Sequence, residues 1–284
     1  MNMAVTAQGW EALLKLRFAL RGEKTKIVER ERKGPLAVQR PFYPEGDEVC
    51  HTYLLHPPGG VVGSDTLDIA VHVEPGAKAL ITTPGATKFY RSGGRLATQI
   101  QRLSVEKGGL LEWMPQENIF FPDAQARVET HIDLEPGASF IGWDIQCLGR
   151  PVIDEAFTEG RLDATTRLSV DGELVLIDQL RTEGMALVEA SAGMRGYPMQ
   201  ATMLIVPGQD NPDFERLLEL TREAMEGLSD LPLEAGATRV DQAIVVRLLG
   251  PGTEPMLKLM TAVWRAVRPE VAGREAEPPR IWAT

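Results

Sequence analysis

The chain has 284 residues, 43% apolar and 25% charged, with a net charge of −10 and a pI near 5.1. This is ordinary globular composition, and it lacks the basic face that nonspecific nucleic-acid binding requires. No apolar run approaches the roughly 20 residues of a membrane-crossing helix. Cys50 and Cys147 are too few for a typical secreted disulfide scaffold. Residues 1 to 10 lack a basic stretch followed by an apolar one, so no signal peptide is expected and the expected location is cytoplasmic.

Trp10, Ala12, Leu14, Leu16 and Phe18 recur at every second position, which predicts a strand with one buried face. Leu13 and Leu14 also fit a helix. Arg21-Gly22-Glu23-Lys24 reads as a turn, and residues 25 to 30 as a second strand. Gly34-Pro35 breaks it, and Pro41 to Gly46 forms a loop stiffened by two prolines. Two glycine-rich loops follow strand-like runs: His56-Pro57-Pro58-Gly59-Gly60-Val61-Val62-Gly63-Ser64-Asp65, and Thr82-Thr83-Pro84-Gly85-Ala86-Thr87-Lys88-Phe89-Tyr90-Arg91.

A loose rhythm then appears. Val73-Glu74-Pro75-Gly76, Val105-Glu106-Lys107-Gly108, Leu134-Glu135-Pro136-Gly137 and Val170-Asp171-Gly172 each join an apolar residue, an acid and a glycine, and each precedes an apolar run. Glycine supplies the positive φ that such turns need. A spacing near thirty residues, built from short strands and turns, predicts a β-solenoid or a broad two-sheet sandwich. The two glycine-rich loops then read as corners of that stack.

Composition changes after Pro207. Asn211-Pro212-Asp213 predicts a helix N-cap with proline at the first helical position, and Phe214, Leu217, Leu218, Met225 and Leu228 follow at helical spacing up to Gly227 and beyond. Residues 239 to 249 read as one strand. A second helix is predicted over 254 to 268, with Met256 and Trp264 on its apolar face and Pro269 as its stop. The organisation expected is one domain over 1–284: a β-body over about 10–206, a helix-strand-helix portion over about 211–268, and a tail over 269–284.

The chemistry-bearing residues exclude more than they establish. Gly59 to Ser64 lacks the Lys-Ser/Thr pair of a phosphate loop, and a strand pattern follows it rather than a helix. Ser64 lacks the Gly-x-Ser-x-Gly context of a nucleophile elbow. A small-molecule hydrolase using Ser64, or a Cys50/His51 pair, is the enzymatic alternative. Cys50, His51 and His56 are ligand types suited to borderline metals such as nickel. Adjacent strand residues face opposite ways, however, so Cys50 and His51 are poor joint ligands. Asp65 and Asp68 close the first loop, whereas Asp144 and Asp178 stand inside apolar strands. Burying a carboxylate there is costly unless it is paired or meets water. A hydrated channel lined by carboxylates explains them, as does hydrogen bonding to a turn, to Arg150 or to Arg181.

Long ordered motifs carry a resemblance. They are Gly34-Pro35-Leu36 with Val38 to Gly46, Tyr53 to Gly63, Thr83 to Ser92, Cys147-Leu148-Gly149-Arg150-Pro151 and Pro279-Arg280-Ile281-Trp282. From about Trp10 to Thr284 the chain resembles the urease accessory protein UreD (UreH) family. The resemblance implies a maturation chaperone rather than an enzyme. It implies a mainly β, solenoid-like (β-helical) stack of short strands with two helices in the C-terminal part. It further implies binding to apo-urease subunits and UreF, a link to the nickel-carrying GTPase UreG through UreF, and no nucleic-acid or membrane partner. No permanent cofactor is implied; Ni²⁺ would be carried transiently through an internal passage to the carbamylated-lysine site of urease. Carried over residue by residue, Asp65, Asp144 and Asp178 become passage-lining candidates, and Lys88 a gating or pairing residue. Asp178 stands where related sequences commonly have Glu, with Gln179 replacing an Arg. Phe214, Leu217, Met256 and Trp264 become candidates for a UreF-facing surface. A pure adaptor without metal contact is the remaining alternative.

Overall fold

The computed structural model describes residues 9 to 283. Part of the segment on which the absence of a leader was read, residues 1 to 8, lies outside them. Strands β1 (Glu11–Arg21) and β2 (Lys24–Lys33) form a hairpin, followed by the short β3 (Ala37–Val38) and by β4 (Val49–Leu55). The chain then winds. β5 (Thr66–Val73) leads to β6 (Lys78–Thr82) and the short β7 (Thr87–Phe89). β8 (Leu96–Val105) leads to β9 (Leu110–Met114) and β10 (Asn118–Phe120), and β11 (Ala124–Leu134) leads to β12 (Ser139–Arg150). β13 (Glu155–Ala156) pairs with the end of β12, and β14 (Gly160–Val170) and β15 (Glu173–Glu183) form a second hairpin. Helix α1 (Ala186–Glu189), β16 (Met199–Val206), α2 (Phe214–Glu226), the hairpin β17 (Glu234–Val240) and β18 (Ala243–Gly250), and α3 (Thr253–Ala272) complete the fold.

The first sheet has the order β15-β14-β11-β8-β5-β1-β2, and the second β17-β18-β16-β12-β9-β6-β4-β3. Their central strands are parallel, giving a β-solenoid of about four turns. A narrow third face runs from Val61 through β7 and β10 to the end of β12, with Phe89 and Phe120 stacked 4.8 Å apart inside it. Both glycine-rich loops are therefore corners of the stack, as expected.

Three of the four rhythmic turns are also corners, carrying the chain from the first sheet to the second. Gly76, Gly108 and Gly137 have φ of +70°, +72° and +84°, a region that side chains with a Cβ rarely enter. The corners stack through their backbones: Glu106 N donates to Val73 O and Glu135 N to Val105 O, both at 2.9 Å. The fourth turn differs. Asp171 and Gly172 both have positive φ and join β14 to β15 within one sheet. Two consecutive positive-φ residues are the requirement of a tight hairpin, so this turn ends the winding rather than continuing it.

The first sheet faces the core on one side only and reads as alternation; β5 buries Leu67, Ile69, Val71 and Val73. The second sheet is covered on both sides and reads as unbroken apolar runs; all five residues of β9 are buried. One core fills the space between the sheets. A second lies outside the second sheet, where Leu80, Ile141 and Trp143 meet Met256, Met260 and Trp264 of α3.

Several helix and strand expectations need correction. The α2 cap is Asp213, whose Oδ1 accepts from Arg216 N at 2.9 Å, not Asn211. Among the described residues Asp213 supplies the side-chain oxygen that caps the first turn. Helix α3 continues through Pro269 to the left-handed cap at Gly273, because a proline this near the C-terminus removes one N–H donor while the three residues after it complete the last turn. The strand predicted over 239 to 249 is two strands broken at Asp241, whose φ is +49°. The short helix α1 has no counterpart among the expected elements.

Candidate functional site

A polar seam crosses the apolar core. It starts near the glycine-rich loops as a cavity of about 390 Å³, lined in part by His56, Thr83, Gln99, Gln101, Trp113 and Asn118. Gln99 and Gln101 are inward positions of β8, 5% and 4% exposed, where β5 places Leu67 and Ile69 and β11 places Val128 and Thr130. Past Trp113 lies a void of about 20 Å³ bounded by Thr130, Asp144, Thr166 and Thr202 and also by the apolar Ile132, Phe140 and Leu204. A second void of about 20 Å³ lies between Asp144, Gln146, Asp178, Gln200 and Thr202. Each is about the size of one water. The seam opens in a surface cleft of about 480 Å³ whose walls include Asp178, Gln200, Glu234 and Arg247. Consecutive spaces share walls: Trp113, then Asp144, Thr166 and Thr202, then Asp178 and Gln200.

Strand parity explains the seam. Trp143 and Ile145 point toward the helices, so Asp144 and Gln146 point between the sheets. Asp144 accepts from Gln146 Nε2 at 2.7 Å and from Asn118 Nδ2 at 3.3 Å. Burial pushes its carboxyl up to about 6, the Asp178 charge adds to the rise, and the Gln146 hydrogen bond opposes it. Thr202 sits opposite Asp144 on β16 and donates to Asp178 Oδ2 at 2.6 Å. Asp178 Oδ1 lies 2.8 Å from Arg247 Nη2. The ion pair is thus to a strand 69 residues away, not to Arg181 or Arg150, which pair with Asp163 and Glu155.

The other candidates are placed differently. Asp65 is 6% exposed, and both its oxygens hold the loop, accepting from Trp10 N at 2.8 Å and Val62 N at 2.9 Å. It lies off the seam's walls. Lys88 is exposed on the third face, and among the described residues no ion pair or hydrogen bond joins its ammonium to Asp65, Asp144 or Asp178. The physical reason is parity: Phe89 points inward on β7, so Lys88 points out. Cys50 and His51 do face opposite ways. Cys50 Sγ lies 3.7 Å from Thr52 Oγ1, and burial raises its thiol pKa. His51 Nε2 lies 2.6 Å from Glu45 Oε1, and its buried Nδ1 has no partner among the described residues. His56 lines the cavity of about 390 Å³ beside the glycine-rich loops, and burial lowers its pKa. Among the described residues, no three His, Cys, Asp or Glu side chains are gathered to hold a metal ion. Leu217, Met256 and Trp264 are at most 2% exposed, and Phe214 is half-buried beneath the Arg239 guanidinium, 4.0 Å from its ring. Leu217, Met256 and Trp264 fasten the helices to the sheet and offer no free surface to UreF, whereas Phe214 stays partly exposed. The Ser64 hydroxyl is exposed, and no hydrogen bond joins it to a histidine or carboxylate among the described residues.

One cluster lay outside the expectations. Arg268 of α3 reaches Glu112 of β9 and Glu45, and Trp264 Nε1 donates to Glu112 Oε1 at 2.6 Å. The signal for it was Glu112 within Leu110-Leu111-Glu112-Trp113, a lone acid in an apolar strand.

With this geometry in place, similarity to known proteins decides the family. The family model described as UreD urease accessory protein matches residues 11–283. The chain belongs to the UreD urease accessory protein family. It is 46% identical over 284 residues to the urease accessory protein UreD of Aliivibrio fischeri, covering 98% of each chain. It is 47% identical over 285 residues to that of Escherichia coli, covering 98% of this chain and 99% of the other. The Pseudomonas putida protein is 42% identical over 276 residues, covering 97% and 95%. In this UreD-family chain the motifs that carried the resemblance fall at the corners, the third face and the C-terminal segment, all of which frame the seam or the helix layer. No helix among the described residues is long and apolar enough to cross a membrane.

Proposed function

We propose that this UreD-family protein acts in urease maturation as a non-catalytic scaffold in the cytoplasm. It binds apo-urease and UreF, reaches UreG through UreF, and lets Ni²⁺ travel along the seam as cargo. The observation that carries this reading is the row of spaces, each sharing walls with the next, that includes the void between Asp144 and Asp178. Their carboxylates are oxygen ligands that a divalent cation can exchange for water, and the scarcity of further ligands suits release rather than retention. Gln99, Gln101, Asn118, Thr166 and Thr202 supply neutral oxygens along the way.

The test uses Asp144→Asn, Asp178→Asn and the double variant, co-produced with urease and its other accessory proteins at limiting nickel. Complex formation is expected to persist by size-exclusion chromatography, while urease activity and bound nickel fall at least tenfold in the double variant. Normal activation at limiting nickel would sink the passage and leave the pure adaptor as the better reading.

A further inference from the structure

The two free edges of the first sheet are built in opposite ways. β2 carries Lys or Glu or Arg at seven of its ten positions, a charge pattern that discourages a foreign strand from pairing. β15 carries four consecutive apolar residues, Leu174-Val175-Leu176-Ile177, with Leu174 56% and Ile177 50% exposed. Among the described residues, the backbone of 173 to 181 pairs with β14 alone, so its other row of N–H and C=O groups is open. Beside Ile177 in the sheet register lies Arg167, which has no ion-pair partner among the described residues. The same strand holds Asp178, where the seam meets the surface cleft.

We infer that the β15 edge is a strand-addition site for an extended segment of a partner protein, one that alternates apolar side chains with acidic ones. Its backbone would complete the open ladder. Its apolar side chains would cover Leu174 and Ile177, and a carboxylate would answer Arg167. A strand in this position lies along the mouth of the seam. The inference rests on the maturation reading, because the partner is one of the proteins proposed there.

The experiment takes purified apo-urease and purified UreF separately as probes. For wild-type protein, hydrogen–deuterium exchange of amides 173 to 181 is expected to slow at least tenfold on binding one of them. Leu174→Lys/Ile177→Lys, which copies the charged pattern of β2, is expected to keep its melting temperature and bind that protein at least tenfold more weakly. Arg167→Glu is expected to weaken it several-fold. Unchanged exchange at 173 to 181, or unchanged affinity of the double-lysine variant, overturns the inference; tighter binding by Arg167→Glu overturns the acidic partner chemistry. Protection of the edge by wild-type self-association alone assigns it to a second copy and also overturns it. Failure of wild-type protein to bind either probe overturns the maturation reading itself.

Discussion

Arg268 on α3 grips Glu112 on β9 with two hydrogen bonds, Nε to Oε1 at 2.9 Å and Nη2 to Oε2 at 2.8 Å, and both side chains are fully buried. The same guanidinium binds Glu45 through Nη1 at 2.6 Å and Nη2 at 2.9 Å. This side chain adds a polar link between the helix layer and the solenoid to the apolar packing around it. Removing it leaves the buried Glu112 carboxylate without its cation, and leaves Glu45 with His51 at 2.6 Å and the more distant Arg274 at 3.7 Å. Arg268→Met is therefore expected to destabilise the protein by about 3–5 kcal/mol, read from urea denaturation. A loss under 1 kcal/mol would mean that water reaches the cluster.

Glu45 gives this cluster a pH signature. Burial alone would raise its pKa, but His51 and Arg268 hold it down at about 2. A folded-state pKa below the unfolded value of 4.5 stabilises the protein above pH 4.5 and loses that contribution as pH falls toward 2. Acid unfolding of wild-type protein is expected to steepen in that window, and Arg268→Met to flatten it. Parallel acid-unfolding profiles for the two proteins would refute the assignment.

Asp144 works in the opposite sense. Its folded pKa of about 6 exceeds the model-compound value of 3.8, so the folded state binds the proton more tightly. The resulting penalty is absent below about pH 4 and complete above about pH 6. Asp144→Asn is expected to stabilise the protein above pH 6 by up to about 3 kcal/mol, with no gain near pH 4. The proposed passage makes the same variant poorer at urease activation. Stability and activation moving together in Asp144→Asn would separate this carboxylate from any trade-off of stability for function.

Gly149 tests the third face. Its φ is +86°, and a Cβ there would stand 2.3 Å from the Glu155 carbonyl oxygen. Gly149→Ala has no side-chain motion that relieves a backbone clash, so a loss of more than about 2 kcal/mol is expected. A melting temperature within one degree of wild type would show that the β12–β13 junction yields.

Ser64 separates the scaffold reading from the hydrolase one. It adopts φ of +78°, a conformation glycine occupies with less strain. Ser64→Gly is expected to stabilise by about 1 kcal/mol and leave urease activation unchanged. Loss of activation with intact folding would restore a role for its hydroxyl.

The fold was legible where pattern and chemistry agreed. Alternation in β5 and the Glu-Pro-Gly corners at Gly76 and Gly137 predicted stacked strands. The fourth turn misled because Asp171-Gly172 shares the composition of a corner, and only the φ values distinguish them. In the seam, Asp144 and Asp178 stood out because a carboxylate in an apolar strand demands a reason. Arg247 was invisible, since nothing local ties β15 to a strand 69 residues on. The loop-holding role of Asp65 leaves no mark in the pattern for the opposite cause: its partners are the backbone N–H groups of Trp10 and Val62, which nearly every residue type carries. The helix residues were recognised as apolar, but pattern alone does not say whether such a face meets its own sheet or another protein.

The winding itself has a kinetic consequence. In the first sheet Asp68 pairs with Ile100, Ile100 with Glu129, and Glu129 with Thr165, so each parallel rung closes a loop of about thirty residues before it contributes any contact. Loop closure must come first, and chains dominated by such distant pairings fold slowly. Among the described residues the β1–β2, β14–β15 and β17–β18 hairpins, and the short β12–β13 pair, join strands close in sequence. The nascent protein therefore holds sealed ends and an unassembled middle, with the twice-covered strands of the second sheet the last to be shielded from water and the most exposed to aggregation on the way.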